Sequence, residues 1–305
     1  MLEALITTLA NADSQSLLPA FAQVVVEPLS AKHEAEVIEF LSQRPIHTVA
    51  LLSMIRDNGL VNSLNRGKFF GCRDINGQLE GVALVGHATL METVSDRALQ
   101  ALAQVARECP YTHMIMGEQE RVQDFWRTYA EIGQTPRLAC REWLLELQLA
   151  VNSTQGISTL RLATEEELDL VMPIQAQLAF EESGIDPMLV DPTGFRRRCL
   201  RRISQGRTWV LVEDNKLVFK ADVISETNDV IYLEGIWVAE DRRNSRIGSR
   251  CMNELSRRLL QRADSICLLV NELNVSALNF YRKCGFRFRA TYETIFLNKK
   301  EQLPH

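Results

Sequence analysis

The chain has 305 residues, of which 46% are hydrophobic and 24% are charged, and its formal net charge is −5. This is an ordinary composition for a soluble globular protein, and the length predicts two domains of about 150 residues. No apolar run reaches the length of a membrane-spanning helix, and the first 23 residues carry Glu3 and Asp13 without a basic start. We therefore expect no membrane partner, and a helical segment over 1–23 in place of a cleaved secretion signal.

The cysteines and histidines argue against a metal site. The seven cysteines show no CxxC or other metal-like spacing, and most lie in apolar surroundings, where a reduced, buried thiol is the usual state. Reduced thiols favour a cytoplasmic location. The five histidines are scattered, and none lies between residues 151 and 304. Proton transfer in that half must therefore use side chains other than its own histidines.

Charge is divided unevenly between the two halves of the chain. Residues 1–150 contain 12 basic and 18 acidic side chains, whereas residues 151–305 contain 22 basic and 21 acidic ones. The basic residues of the second half cluster at 196–207 and 242–262, without the interleaved aromatic residues of a nucleic-acid-binding surface. We expect a compact anionic ligand and no nucleic acid.

The first half alternates strand and helix patterns. The expected elements are a strand at 24–29, helices at 31–43 and 45–58, a hairpin at 68–91, a helix at 95–108, a strand at 111–117, a helix at 119–132 and a strand at 141–149. Pro45 and Gly59 mark the ends of the second helix, and Asp74 to Gly77 form the hairpin turn. The segment after the hairpin contains no glycine, and Arg97 is its only basic residue. A phosphate-binding turn would need glycine and more positive charge.

The second half repeats this order after a small, polar linker at 150–158. The expected elements are a strand at 159–163, helices at 164–183 and 191–206, a hairpin at 207–225, a strand at 230–238, a helix from 247, a strand at 265–272, a helix at 274–285 and a strand at 286–297. Thr164 and Glu167 form a capping box at the start of the first helix. We infer two copies of one fold, of which only the second kept a phosphate-binding turn.

That turn follows the apolar strand at 230–238. Apolar residues at Ile247, Cys251, Leu255 and Leu259 mark the helix that comes next. The first amides of a helix have no acceptor within it and lie at the positive end of its dipole, so residues 242–249 would present N–H groups to a phosphate. Three arginines in the turn add positive charge. On this stretch alone, a surface turn with solvated arginines remains equally open.

Two sequence motifs in register favour the phosphate-binding turn over a solvated surface turn. The first, R/Q-x-x-G-x-G/A, is present as Arg243, Asn244, Ser245, Arg246, Ile247 and Gly248, and the second, N-x-x-A-x-x-x-Y-x-x-x-G-F, as Asn274, Ala277, Tyr281, Gly285 and Phe286. Together they resemble the GNAT superfamily of acetyl-CoA-dependent N-acyltransferases, over about residues 157–297. The match departs from the family at Arg246, which replaces the first loop glycine. An arginine there would be strained if the backbone required a positive φ.

The resemblance implies an α+β fold of two tandem GNAT-like domains. Each would contain a central, mostly antiparallel mixed sheet with a splayed strand pair, flanked by helices. The first domain, 24–149, would be a degenerate copy, and the second, 157–305, would bind acetyl-CoA. We expect no metal.

The resemblance also assigns cofactor contacts. The pantetheine arm would lie along the strand before the turn, against Ile236, Trp237 and Val238. The pyrophosphate would meet the turn, and the next helix would approach the arm. The residues implied for these two contacts are Arg243, Asn244, Ser245, Arg246, Ile247, Gly248, Ser249, Asn274, Ala277 and Tyr281. Asn274 also suits a plain helix N-cap, and both roles can hold together.

Two side chains are candidates for catalysis. Tyr281 matches the family tyrosine that approaches the cofactor sulfur, where a phenol can protonate the leaving thiolate; a core aromatic with a satisfied hydroxyl is the alternative. Glu234, on the strand at 230–238, is the first candidate for the base that deprotonates the amine, and Glu272 is the second. A salt-bridged or substrate-orienting carboxylate is an equal alternative for Glu234.

The predicted function is transfer of an acetyl group from acetyl-CoA directly to a small-molecule or peptide amine. The first half would shape the acceptor cleft or brace the fold, and oligomerisation remains open. The alternative from another class is a non-catalytic acyl-CoA-binding or regulatory protein, which would keep the loop but lack a working acid and base.

Overall fold

A computed structural model describes residues 24–130, 134–151, 157 and 159–298. The helical segment expected over 1–23 lies outside these residues. None of the described helices combines the length and the apolar character of a membrane-spanning segment.

The described residues of the first half form ten main elements. They are β1 (Val25–Pro28), α1 (Glu34–Ser42), α2 (Pro45–Asn58), β2 (Gly67–Arg73), β3 (Leu79–Gly86), β4 (Ala88–Thr93), α3 (Asp96–Arg107), β5 (Met114–Glu118), α4 (Gln119–Tyr129) and β6 (Leu138–Leu147). Pro45 occupies the first turn of α2, and Gly59 ends it with a φ of 76°. The expected order was wrong in one respect, because β4 is a separate strand. Only His87 separates it from β3, so no turn signal marks it in the sequence.

The second half repeats the order. Its elements are β7 (Arg161–Leu162), α5 (Leu168–Ser183), α6 (Pro187–Val190), α7 (Pro192–Ser204), β8 (Thr208–Glu213), β9 (Lys216–Glu226), β10 (Val230–Val238), α8 (Ile247–Leu259), β11 (Ser265–Asn271), α9 (Val275–Lys283) and β12 (Arg287–Phe296). The capping box of Thr164 and Glu167 is present before α5. Asp214 and Asn215 turn the β8–β9 hairpin, both with positive φ.

The described strands form one continuous sheet. Its order is β1-β2-β3-β4-β5-β12-β6-β11-β10-β9-β8-β7. The last strand of each half lies beside the other half, since β6 pairs with β11 and β12 pairs with β5. β6 and β12 also pair with each other, with Tyr292 opposite Glu142. The α+β class with splayed, mostly antiparallel sheets is confirmed, but the expectation that each half closes its own sheet was wrong.

Helices cover both faces of this sheet. On one face of the second half, α8 contributes Cys251, Met252, Leu255 and Leu259 to a core with Ile231 and Leu233 of β10. On the other face, α5 and α7 pack against Val210 and Leu217, and α2 of the first half packs beside them through Ile46 and Val49. An Arg207–Asp57 ion pair, with nitrogen–oxygen distances of 2.6 and 2.9 Å, also joins the halves. Both halves therefore build the second face.

The second half contains a splayed strand pair and a bulge. β10 and β11 pair in parallel only from Val230 to Leu233, so they diverge beyond that point. On its other side, β10 pairs with β9 at Glu234 and again at Trp237, which leaves Gly235 and Ile236 opposite one residue of β9. Gly235 has a φ of 59°, as a bulge of this kind requires. The gap and the bulge therefore lie on opposite edges of the same strand, β10.

Candidate active site

A cleft of about 1260 Å³ opens beside this gap. It is bounded by β10, the turn before α8, the first turns of α8 and α9, and α5. Twelve of the thirteen predicted cofactor residues line it: Ile236, Trp237, Val238, Arg243, Asn244, Ser245, Arg246, Gly248, Ser249, Asn274, Ala277 and Tyr281. The thirteenth, Ile247, points into the core and is 7% exposed. The two motifs, which are about 30 residues apart in sequence, therefore face one cavity.

The N-terminus of α8 presents a row of backbone donors to the cleft. Arg250 is the first residue whose amide bonds back along the helix, to the carbonyl of Arg246 at 3.1 Å. Within the described residues, the amides of 244–249 have no hydrogen-bond acceptor. Unpaired amides at a helix N-terminus are suited to a phosphate. The physical basis of the predicted pyrophosphate site is thus present.

Arg246 occupies a left-handed conformation in this turn. Its φ is 66° and its ψ is 0°. A non-glycine side chain there costs about 1–2 kcal/mol, because Cβ crowds the neighbouring carbonyl. Asn244 has a φ of 61°, which asparagine tolerates better. The strain that the sequence made conditional on a positive φ is therefore present at Arg246.

The variant Arg246→Gly should be as stable as the wild type or up to about 1 kcal/mol more stable. Relief of the left-handed strain outweighs, or just offsets, the greater freedom of glycine in the unfolded chain. Urea denaturation measures the change, with Asn244→Gly as the matched control that should gain less. A loss of stability greater than about 1 kcal/mol would contradict strain at this position.

The arginines around the turn differ in how they are engaged. Arg242 forms an ion pair with Glu213 at 2.6 Å, whereas Arg243 lies 3.8 Å from Glu240. Arg250, one turn along α8, lines the cleft, and its buried Nε has no hydrogen-bond partner within the described residues. Sequence reasoning missed Arg250. Its signal was a basic residue in the first turn of the helix that follows the phosphate-binding turn.

Gly248 serves close packing of α8 against its neighbours. An added Cβ would lie 3.0 Å from Val238 Cγ2 and 3.4 Å from Phe280 Cε2. Its side-chain hydrogen therefore lets the helix N-terminus lie directly against β10 and α9. The structure thus shows a close approach between secondary-structure elements at Gly248.

α9 presents Asn274 and Tyr281 to the same cleft. The Asn274 side chain caps the helix, with its Oδ1 accepting a hydrogen bond from the Ala277 amide at 3.0 Å. The Tyr281 ring is 8% exposed and packs edge-on against Phe280 and Phe286. Its hydroxyl has no hydrogen-bond partner among the described residues. Burial raises the pKa of the Tyr281 phenol, so the hydroxyl keeps its proton.

Glu234 lies across the sheet from α8, on the face covered by α2 and α5. Its Oε1 accepts a hydrogen bond from the Tyr232 hydroxyl at 2.6 Å. Glu182 of α5 and Glu142 of β6 lie close enough that the charge of Glu234 raises the pKa of each. No basic side chain forms an ion pair with any of these three carboxylates within the described residues. Glu272, the second candidate base, follows β11, where its backbone amide donates to the Arg141 carbonyl at 3.0 Å.

Burial is the main cause of the raised pKa of Glu142, which is about 7, and Glu234 adds to it. A hydrogen bond of 2.7 Å from Thr294 opposes the shift. The pKa of Glu182 is raised by surrounding protein atoms and by Glu234 and Glu142, although its side chain remains open to solvent. Near neutral pH these carboxyl groups therefore retain protons that they would lose in water.

The variant Glu142→Gln should become more stable than the wild type as the pH rises. A carboxyl whose pKa is higher in the folded protein costs stability once the pH passes its unfolded value, and the full cost is present above the folded value. We expect little gain at pH 5 and about 1–3 kcal/mol at pH 8. Urea denaturation at both values, with the exposed Glu181→Gln as control, measures this. An equal gain at both values would contradict a raised pKa.

The first half has a related carboxylate, but it is neutralised. Glu92 of β4 pairs with Arg44 at 2.9 Å, and Arg44 also pairs with Glu118 at 2.7 Å. The segment after β4 leads into α3 without an arginine-rich turn. The first half therefore lacks both the free carboxylate and the phosphate-binding turn of the second.

Part of the chain that lines this cleft matches a known protein family. Residues 204–288 match the family model described as "Acetyltransferase (GNAT) domain". The second half contains a GNAT domain. No curated protein sequence matches the chain significantly. The GNAT domain gives the coarse activity, acyl transfer from an acyl-CoA, and leaves the donor and the acceptor open.

Solved structures share the tandem GNAT-like fold of the described residues. A tandem GNAT protein from the clavulanic acid biosynthesis pathway is 12% identical, with 92% of this chain and 100% of that one covered and a TM-score of 0.54. A GCN5-related N-acetyltransferase from Sphaerobacter thermophilus is 11% identical, with 89% and 94% covered and a TM-score of 0.57. A Drosophila protein is 12% identical, with 91% and 99% covered and a TM-score of 0.66. The described residues contain no cluster of side chains that could hold a metal ion.

Proposed function

We propose that the protein is an N-acetyltransferase that moves an acetyl group from acetyl-CoA directly to an amine. One observation carries the proposal. The unpaired amides before α8 and the free hydroxyl of Tyr281 line a single cleft, which opens at the gap where β10 and β11 diverge. Glu234 lies at the same gap on the other face of the sheet.

The cleft offers a distinct contact for each part of the donor. The amides of 244–249, with Arg243, Arg246 and Arg250, would hold the phosphates. The arm of the donor would follow β10 along Ile236, Trp237 and Val238, where the unpaired strand edge leaves backbone groups open. Asn274 and Ala277 would flank it from α9. Acetyl-CoA supplies the activated acyl group.

Glu234 and Tyr281 then divide the proton transfers. Glu234 would take the proton that the amine loses as its nitrogen bonds to the acyl carbon. Tyr281 would give its proton to the sulfur as the carbon–sulfur bond breaks. The buried surroundings that keep the phenol protonated also make a departing thiolate more basic, which favours this transfer. The Tyr232 hydroxyl fixes the orientation of Glu234.

The acceptor side favours a cationic amine. Glu234, Glu182 and Glu142 place three carboxyl groups near one another without a basic side chain to neutralise them. An ammonium group would relieve their mutual repulsion and lower the pKa values that this repulsion raises. Glu142 belongs to β6, so the first half contributes to the acceptor side through the exchanged strand. Assays with a panel of amines distinguish a small-molecule acceptor from a peptide acceptor.

Calorimetric titration tests the donor side of the proposal. Acetyl-CoA should bind with one site per chain, and acetyl-pantetheine, which lacks the nucleotide and the pyrophosphate, should bind at least tenfold more weakly because it loses the charge-assisted contacts to the turn. Equal affinities would show that the amides before α8 hold no phosphate. The alternative function, a non-catalytic acyl-CoA-binding protein, gives the same titration and is separated from the proposed one by turnover.

A further inference from the structure

A lysine is completely buried beneath the bulge of β10. Lys220 lies on β9, opposite Trp237, and its side chain is 0% exposed. Its Nζ donates to Asp222 Oδ2 at 2.6 Å, to Gln175 Oε1 at 2.7 Å and to the carbonyl oxygen of Gly235 at 3.2 Å. An ammonium group has three donors and no acceptor, and here it meets three acceptors. The geometry therefore fits a charged lysine.

Asp222 completes the buried network. Its Oδ2 also accepts from Arg202 Nη1 at 3.0 Å, and its Oδ1 accepts from the Thr208 hydroxyl at 2.8 Å. Burial works against the charge of Asp222, but Lys220 and Arg202 outweigh it and hold the pKa of this carboxyl below its usual value. The network ties α5, α7, β8 and β9 to the bulge. Such an arrangement is far more rigid than a bulge held by strand pairing alone.

The contact to Gly235 fixes one peptide group. In a trans peptide the carbonyl and the following N–H point in opposite directions. Because the Gly235 carbonyl is directed at Lys220, on the face covered by α5 and α7, the Ile236 N–H is directed away from that face. Ile236 lines the donor cleft and has no partner on β9. An added Cβ on Gly235 would lie 2.8 Å from Lys220 Nζ, so a side chain at this position would displace the ammonium.

We propose that Lys220 is a positioning residue for acyl transfer, and that its ammonium holds the Gly235–Ile236 peptide with the Ile236 N–H aimed at the acyl carbonyl oxygen. The inference rests on the proposed transferase function. A donor aimed in advance at an oxygen that gains negative charge lowers the barrier without reorganisation during the reaction. Lys220 itself touches neither substrate.

The test removes the ammonium while keeping the core filled. Substitution of lysine alone would leave Asp222 short of a partner, so the variant is Lys220→Met with Asp222→Asn, whose side-chain oxygen can accept from Arg202 while its NH2 group donates to the Thr208 hydroxyl. The readouts are kcat, the dissociation constant of acetyl-CoA, and the infrared carbonyl band of acetyl-CoA labelled with ¹³C at the thioester carbon. Thr208→Val is the matched control, since it weakens the same network but keeps the lysine.

In the wild type, binding should move the labelled carbonyl band to lower frequency. In the double variant that displacement should be lost and kcat should fall about 10–100-fold, with the dissociation constant within about threefold. Thr208→Val should lower the unfolding midpoint and keep both kcat and the band. An unchanged kcat and an unchanged band in the double variant would overturn the inference.

The outcomes for the wild type keep the two proposals apart. If acetyl-CoA does not bind, the proposed function fails and the positioning role fails with it. If it binds but its carbonyl band matches that of free acetyl-CoA, no donor meets the acyl oxygen, and only the positioning role is overturned. This second result requires no variant, so it can overturn the inference even if the double variant does not fold.

Discussion

Substitution of Tyr281 by phenylalanine should lower kcat by about 10²–10⁴-fold and leave the dissociation constant of acetyl-CoA within about threefold of the wild type. The hydroxyl is the only group removed, and it makes no hydrogen bond to the described residues. The ring can therefore keep its packing against Phe280 and Phe286. Loss of an acid that acts only as the sulfur departs affects the rate and not the binding of the donor.

Steady-state kinetics and calorimetry on the same preparation measure this separation. Tyr129→Phe is the matched control, because Tyr129 is also buried, at 2% exposure, but lies in the core of the first half. The control should keep the kcat of the wild type. An unchanged kcat for Tyr281→Phe would remove the catalytic role and leave Tyr281 as a core aromatic.

Replacement of Glu234 by glutamine should lower kcat/KM by about 10²–10⁴-fold at neutral pH. Glutamine keeps the volume and can still accept the hydrogen bond from the Tyr232 hydroxyl, but it cannot take a proton from the amine. Binding of acetyl-CoA should be unaffected, because Glu234 lies on the face of the sheet opposite α8. The loss should shrink when the amine is supplied at a pH above its own pKa, since a free amine needs less help from a base.

A loss of less than about tenfold for Glu234→Gln would argue against a base and favour a carboxylate that only orients the acceptor. The variant Glu272→Gln tests whether Glu272 is the base instead of Glu234. If that variant carried the larger loss, the base would lie at the end of β11, and the acceptor would approach from the opposite side of the gap.

The sequence was sufficient for the local structure and for the cleft. The capping box at Thr164, the hairpin turn at Asp214 and the helix start at Ile247 depend on neighbouring residues, which the sequence displays directly. The two motifs at 243–248 and 274–286 are also local, and the family resemblance that they carry implied that both would contact one cofactor. At Arg246 the sequence left open whether the backbone would be strained, and the positive φ of this residue shows that it is.

The strand exchange could not be predicted from the sequence. β6 and β12 carry similar apolar patterns, and both suit the same position in a sheet. Strand pairing depends on distant contacts, and nothing in either strand distinguishes its own half from the other copy. The consequence for function is that Glu142, assigned by sequence to the first half, lies close enough to Glu234 of the second for the Glu234 charge to raise its pKa.

The buried network around Lys220 was also missed. Its signal was present in β9, where Lys220 and Asp222 interrupt an otherwise apolar strand at a spacing of two and so share one face. Two opposite charges in such a strand indicate a buried pair. Only the structure places the carbonyl of Gly235 within reach of that pair, because the bulge depends on the pairing of β10 with β9.

Amine-dependent turnover is the direct test of the proposed transfer of an acetyl group from acetyl-CoA to an amine. The wild type is mixed with acetyl-CoA and a panel of amines that includes monoamines, diamines and a peptide with a free N-terminus, and both thiol release and the mass of the amine are followed. At least one amine should gain a single acetyl group for each thiol released, and Glu234→Gln and Tyr281→Phe should abolish most of this turnover. Tight binding of acetyl-CoA without amine-dependent thiol release across the panel would contradict it and favour a non-catalytic acyl-CoA-binding protein.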